Sequence, residues 1–184
     1  MIAKKALSLA VLFLAVLSPA VAAQALDPRM SALEPLLHKE WKGMMKAPDG
    51  STVWEVVCRF EAVGSGLLVK YDRRTTGRAD FEEGYFYWDD PAKKLALFAV
   101  HSGGSFRTGL VKAESGVLTI EGRMAWPVAP PDPRVKQSYD FRNTFTLVSE
   151  TEMTDRWFQN AFGPWRPGHE IVFRGEVKTP ARPD

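Results

Sequence analysis

Ser138-Tyr139-Asp140-Phe141-Arg142-Asn143-Thr144-Phe145-Thr146-Leu147 decides how this chain folds. Its period of two is that of a β-strand with one buried face. Tyr139, Phe141, Phe145 and Leu147 point to a core, and Ser138, Asp140, Arg142 and Thr144 point to water. Asn143 interrupts the apolar side between Phe141 and Phe145. A buried amide without a partner costs a few kcal/mol, so such a residue is either hydrogen-bonded or used.

The same alternation recurs on both sides of this stretch. Trp54, Val56, Cys58 and Phe60 share a face opposite Glu55 and Arg59; Leu67, Val69 and Tyr71 share another, as do Leu118, Ile120, Met124 and Trp126, and then Ile171 and Phe173. Turn residues separate the runs every eight to twelve positions, at Pro48-Asp49-Gly50-Ser51, Gly64-Ser65-Gly66, Asp89-Asp90-Pro91, Gly103-Gly104, Glu114-Ser115-Gly116 and Gly163-Pro164. Strands are expected near 40–47, 52–61, 66–74, 80–89, 95–102, 105–113, 117–126, 137–148, 151–160 and 169–177. Those at 80–89 and 95–102 are apolar on both faces, which leaves their orientation open. Four prolines between Trp126 and Pro133 make that segment a loop at the rim. The pattern predicts an all-β fold, a single antiparallel up-and-down β-barrel of about ten strands, because closure removes the exposed edges of so many short strands.

A short N-terminal helix precedes the strands. Asp27-Pro28 and Ser31-Ala32-Leu33-Glu34 both read as helix starts, the second as a capping box, and Leu33, Leu36, Leu37 and Trp41 fall on one helical face. Ahead of it lies an export signal: Lys4 and Lys5, an apolar run from Ala6 to Leu17, then Pro19 and small residues ending at Ala22-Ala23. That run is shorter than the roughly 20 residues a bilayer span needs. The expected division is a signal peptide at 1–23 and one barrel domain at 24–184, with cleavage after Ala23 or Ala25 and a periplasmic or secreted product.

Cleavage would remove two of the 24 basic side chains and leave 22 against 22 acidic ones. A balanced charge without a basic stripe gives no reason to expect nucleic acid, and no stable membrane insertion is expected. Cys58 is the only cysteine, so no intramolecular disulfide can form; on an apolar face it reads as a small inert hydrophobe. His38, His101 and His169 have no paired spacing, and neither a metal site nor a cofactor is expected. No nucleophile elbow or phosphate loop is present, and Ser102-Gly103-Gly104-Ser105 is a turn. Glu82 and Glu83 are strand neighbours on opposite faces and cannot converge on one substrate.

Candidate site residues are polar or aromatic side chains on inward faces. They are Asn143, Asp155 between Met153 and Trp157, Tyr71 after Val69, Trp157 itself, and His169, which leads the face of Ile171 and Phe173. Phe86, Trp88, Phe98, Phe106, Trp157, Phe158 and Trp165 either form an apolar cup or fill the barrel. Arg142 and Arg156 are expected to pair with Asp140 and Glu152 on the outside. Trp165-Arg166-Pro167-Gly168 reads as a rigid corner before the last strand, with Trp165 as its structural anchor.

The short helix leading into Trp41-Lys42-Gly43, followed by an up-and-down run of about ten strands, resembles the calycins, the superfamily of lipocalins and fatty-acid-binding proteins. The opening from Leu33 to Gly43 and the closing Gly163-Pro164-Trp165-Arg166-Pro167-Gly168-His169-Glu170 look more closely like bacterial exported lipocalin-like proteins. The resemblance implies a barrel with a mainly apolar cavity for a small hydrophobic ligand, and it implies no reaction. The expected function is the binding of a small hydrophobic molecule through Tyr71, Asn143, Asp155, Trp157 and His169. The alternatives are an enzyme with Asp155 as base and His169 as its orienter, or a structural or protein-binding module with a filled barrel.

Overall fold

The computed structural model describes residues 25–46, 50–130 and 132–177. The export segment and the tail from Thr179 lie outside them. Ten strands follow one 3₁₀ helix (Pro28–Leu36): β1 (Lys39–Lys46), β2 (Val53–Val63), β3 (Leu68–Thr75), β4 (Phe81–Asp89), β5 (Lys94–His101), β6 (Phe106–Glu114), β7 (Val117–Ala125), β8 (Ser138–Ser149), β9 (Glu152–Gln159) and β10 (Arg166–Val177). Each strand pairs antiparallel with its neighbours in sequence, and β10 pairs with β1 to close the barrel. The fold is the single up-and-down barrel that the period-two runs predict.

The two ends of the barrel differ. At one end the helix lies across the opening, its Met30, Leu33 and Leu36 fully buried in the common core. The Asp27 amide donates to the Gly66 carbonyl at 3.1 Å, the Arg29 guanidinium lies over the Trp88 ring at 5.7 Å, and the Lys39 ammonium donates to the Glu150 carbonyl at 2.6 Å. These contacts tie the helix and the start of β1 to the β2–β3 turn, the end of β4 and the β8–β9 turn. Phe60, Tyr71, Phe86 and Phe145 interlock across the barrel further in, with ring centroids 5.4 to 6.3 Å apart. That aromatic layer fills the barrel, and only the far end stays open.

The helix departs from the expected form. It is 3₁₀ rather than α, and Asp27 caps it by accepting from the Arg29 amide at 2.9 Å, so Ser31 is not its start. Pro35 inside the segment removes a backbone donor that an α-helix would use. His38, at φ 60°, ends the turn and sends Trp41 into β1, where its indole N–H reaches back to the Leu36 carbonyl at 2.9 Å.

Other corrections follow from strand geometry. Leu67 belongs to the tight turn before β3, where Gly64, Ser65 and Gly66 all take positive φ, and it is 51% exposed instead of inward. Arg142 and Arg156 pair across strands, with Glu121 and Glu170, instead of with Asp140 and Glu152. Residues directly opposite one another sit about 5 Å apart, whereas i and i+2 on one strand are separated by roughly 6.6 Å. Phe98, Phe158 and Trp165 face outward, so they form no cup, and Trp165 at 52% exposure does not anchor the closing corner.

That corner is a β-bulge. The β9–β10 register pairs Pro167 with Phe158 and Glu170 with Arg156, which leaves Gly168 and His169 together opposite Trp157. A Cβ at position 168 would stand 2.5 Å from Trp157 Cδ1, so glycine allows the close approach. His169 keeps the inward parity of Ile171 and Phe173, and the extra residue shifts the alternation before it, so that Pro167 faces outward beside Phe158.

Candidate functional site

The open end holds a cavity of about 410 Å³. Trp54, Phe81, Trp126, Tyr139 and Trp157 supply rings to its wall from five strands or strand ends, and Met45 and Met124 supply flexible thioethers. Its charged lining residues are Lys46, Arg73, Asp80 and Glu82, and the histidines His101 and His169 stand among them. Trp126 begins the proline-rich loop expected at the rim.

Under the cavity, six strands place polar side chains on inward positions of the alternation, and these form one chain of contacts. Glu82 of β4 is ion-paired with Arg107 of β6. Arg107 Nη1 donates to Asn143 Oδ1 at 3.1 Å, and Asn143 Nδ2 donates to Asp155 Oδ1 and to the Arg156 carbonyl. Asp155 Oδ2 lies 3.2 Å from His169 Nε2 and 3.4 Å from Arg73 Nη1. Arg107 donates and Asp155 accepts, so the bridging amide can have only one orientation, with oxygen toward the arginine and nitrogen toward the carboxylate. Asn143 thus links two buried ion pairs, which is why a polar residue stands between Phe141 and Phe145.

Arg107 is 2% exposed and enclosed by rings, with its guanidinium 5.2 Å from Trp157, 5.3 Å from Phe141 and 5.8 Å from Tyr71. Phe141 and Trp157 stack at 4.7 Å, and His169 stacks on the far side of Trp157 at 6.2 Å. The aromatic faces stabilise the cation without spending its hydrogen-bond donors.

Burial alone would raise the Asp155 carboxyl. The His169, Arg73 and Asn143 groups outweigh it and hold the acid below the usual carboxylate range. A depressed folded-state value adds stability that is present above about pH 4 and is lost as pH falls further. Asp155→Asn is therefore expected to flatten the acid limb of a stability curve. A melting series from pH 7 to pH 2.5 checks this, and an unchanged acid limb would remove Asp155 from the linkage. Burial also pushes the Cys58 thiol up to about 12, consistent with an inert core residue.

The five sequence-derived candidates divide by depth. Trp157 and His169 line the cavity. Asn143 and Asp155 sit directly beneath and hold His169, and Tyr71 belongs to the aromatic layer deeper still. Asp155 and His169 are within hydrogen-bond reach, but Asp155 is fully enclosed and cannot touch a substrate. In any acid/base reading the roles reverse, with His169 at the cavity and Asp155 behind it.

Sequence reasoning missed Arg73, Glu82 and Arg107. Arg73 was within reach, since Val69 and Tyr71 fix the inward parity of β3. Glu82 was hidden because β4 is apolar on both faces. Arg107 could be placed only by counting back from Val111, across Gly109. At the rim, His101 Nδ1 accepts from the Gly103 amide at 3.1 Å, so its Nε2 carries the proton and meets Asp80 Oδ1 at 2.8 Å. This pair is a fixed wall element.

A wider depression of about 870 Å³ lies over β5–β7 beside the helix. Four of its cations are matched by acids, in Arg29–Asp27, Lys93–Asp90, Lys112–Glu114 and Arg142–Glu121. Among the described residues it contains no buried polar atom lacking a partner, whereas the mouth contains the Trp126 indole nitrogen. Nor do the described residues include any group of three His, Cys, Asp or Glu side chains placed to hold a metal ion.

No protein-family model and no curated protein matches this chain. Among solved structures, it is similar to the crystal structure of Rv2717c from M. tuberculosis, with a TM-score of 0.58 and 18% identity over 83% of this chain and 99% of that one. A likeness at that identity speaks for the fold alone. It accords with the closed ten-strand antiparallel barrel.

Proposed function

We propose that this protein is an exported, lipocalin-like barrel that binds a small, largely hydrophobic molecule in its open mouth. The observation that carries the reading is the cavity itself: about 410 Å³, walled by five aromatic side chains and floored by a hydrogen-bonded polar cluster. Ligand sites commonly combine apolar walls with a few fixed polar groups, at volumes of roughly 300–1,000 Å³. The outer wall supports a water-facing barrel, because Arg142–Glu121, Arg156–Glu170, Arg174–Glu152 and Lys42–Glu176 pair across it where a lipid-facing wall would be apolar. Export rests on the charged, apolar and small-residue pattern of residues 1–23.

The test is binding of N-phenyl-1-naphthylamine, a neutral apolar dye, to wild type and to His169→Ala. Wild type is expected to bind one dye with saturation. The variant should bind roughly threefold to tenfold more weakly, about the worth of one aromatic contact, with a smaller loss of stability than a core truncation gives. Failure of wild type to bind any apolar probe would overturn the reading, and unchanged binding by His169→Ala would remove that residue from the site.

A further inference from the structure

We infer that the mouth takes a compact aromatic carboxylate whose charged end is received by Arg73; the inference rests on the ligand-binding reading above and narrows it. Arg73 lines the cavity, yet its side chain is only 13% exposed. A guanidinium has five N–H donors in a fixed fork. Those of Arg73 are poorly spent: Nη1 reaches Asp155 Oδ2 at 3.4 Å and His169 Nε2 at 3.5 Å, and Nη2 has only Met45 Sδ at 4.0 Å. All three contacts exceed the ordinary N–H···O range of about 2.7–3.2 Å.

The carboxylates nearby do not complete the fork. Asp155 is fully enclosed and already accepts from Asn143 and meets His169. Glu82 reaches the cavity, but its charge is matched by Arg107. Asp80 is held at the rim by His101, Ser102 and Thr75. The floor thus shows the cavity an enclosed cation with unused donors, and it keeps its most deeply buried anion behind that cation. Bidentate capture of a carboxylate is the interaction a guanidinium fork matches best.

The walls and the depth choose the rest of the molecule. Five of the lining side chains are aromatic, which suits a flat ring system more than a flexible chain. The space of about 410 Å³ accepts roughly fourteen non-hydrogen atoms at water's share of about 30 Å³ each. Beneath the polar floor the barrel is filled by Phe60, Tyr71, Phe86 and Phe145, so there is no channel into which a long acyl tail could extend.

Calorimetric titration of the folded protein with 2-naphthoate, its neutral counterpart 2-naphthylmethanol, and palmitate tests this. Naphthoate is expected to bind at least tenfold tighter than the alcohol and tighter than palmitate. Arg73→Gln, with folding checked by its melting transition, should abolish the naphthoate preference while leaving the alcohol within about threefold. Equal affinity for naphthoate and the alcohol would overturn the carboxylate assignment and leave the cavity reading intact. Tighter binding of palmitate would overturn the compact aromatic body. If neither these ligands nor the neutral dye bind, the cavity reading itself falls. The ligand comparison on wild type decides the matter even if Arg73→Gln does not fold.

Discussion

Arg107→Ala is expected to lower the unfolding free energy by about 3–5 kcal/mol, because it breaks a buried ion pair from one side. The substitution leaves Glu82 facing a ring-lined interior without its cation and removes the donor that Asn143 Oδ1 accepts from. It also opens a void between Tyr71, Phe141 and Trp157. Urea denaturation followed by tryptophan fluorescence gives the number. The double variant Glu82→Leu, Arg107→Met separates charge from packing. Removing both ions and keeping the volume should restore most of the loss, since a buried pair replaced by apolar groups is often neutral or better. A cost below about 1 kcal/mol for Arg107→Ala alone would mean that water reaches this layer and that the polar floor is not enclosed.

Trp41→Ala should be comparably severe, at about 3–5 kcal/mol. Trp41 is fully buried at the plugged end, donates its indole N–H to the Leu36 carbonyl and lies beneath the Lys39 ammonium at 5.4 Å. Its loss unpins the helix from β1 and leaves a cavity where β1 meets β10, opposite Gly175. Trp41→Phe keeps much of the volume and should cost distinctly less. Trp165→Ala provides the contrast: with half of that side chain in water, its cost should stay within about 0.5 kcal/mol. Thermal melts rank the three, and a Trp165→Ala loss as large as that of Trp41→Ala would contradict the outward, non-anchoring placement of Trp165 at the closing corner.

Much of the barrel was legible because a period of two needs no tertiary information. Trp54 through Phe60 and Tyr139 through Phe145 fix their own facing, and glycines at turns fix where strands end. The helix type was not legible. A capping-box pattern at Ser31 competes with Asp27-Pro28, and the outcome depends on the Gly66 carbonyl that receives the Asp27 amide, which no local pattern reveals. Outer ion pairs were misassigned because their partners come from register, which is set across strands.

The site was legible where polarity broke an apolar face. Asn143 and Asp155 announced themselves in this way, and they prove to be bonded to each other. Arg107 and Glu82 were not legible, because β4 is apolar on both faces and β6 has glycine beside the arginine. His169 was legible from its shared parity with Ile171 and Phe173; the bulge beside it was not, because Pro167-Gly168 permits that device without compelling it.

The central claim is that ligand enters the open mouth and nowhere else, and six tryptophans distribute reporters over the molecule. Trp54, Trp126 and Trp157 line the cavity, whereas Trp41 and Trp88 lie at the plugged end and Trp165 on the outside. Nitrogen-15 spectra of the six indole N–H groups, recorded during titration with N-phenyl-1-naphthylamine, read all of them at once. The account predicts saturable shifts for the three cavity indoles and none beyond noise for the other three. Shifts confined to Trp41, Trp88 or Trp165, or backbone shifts centred on the outward Tyr85, Phe98 and Leu110, would contradict it.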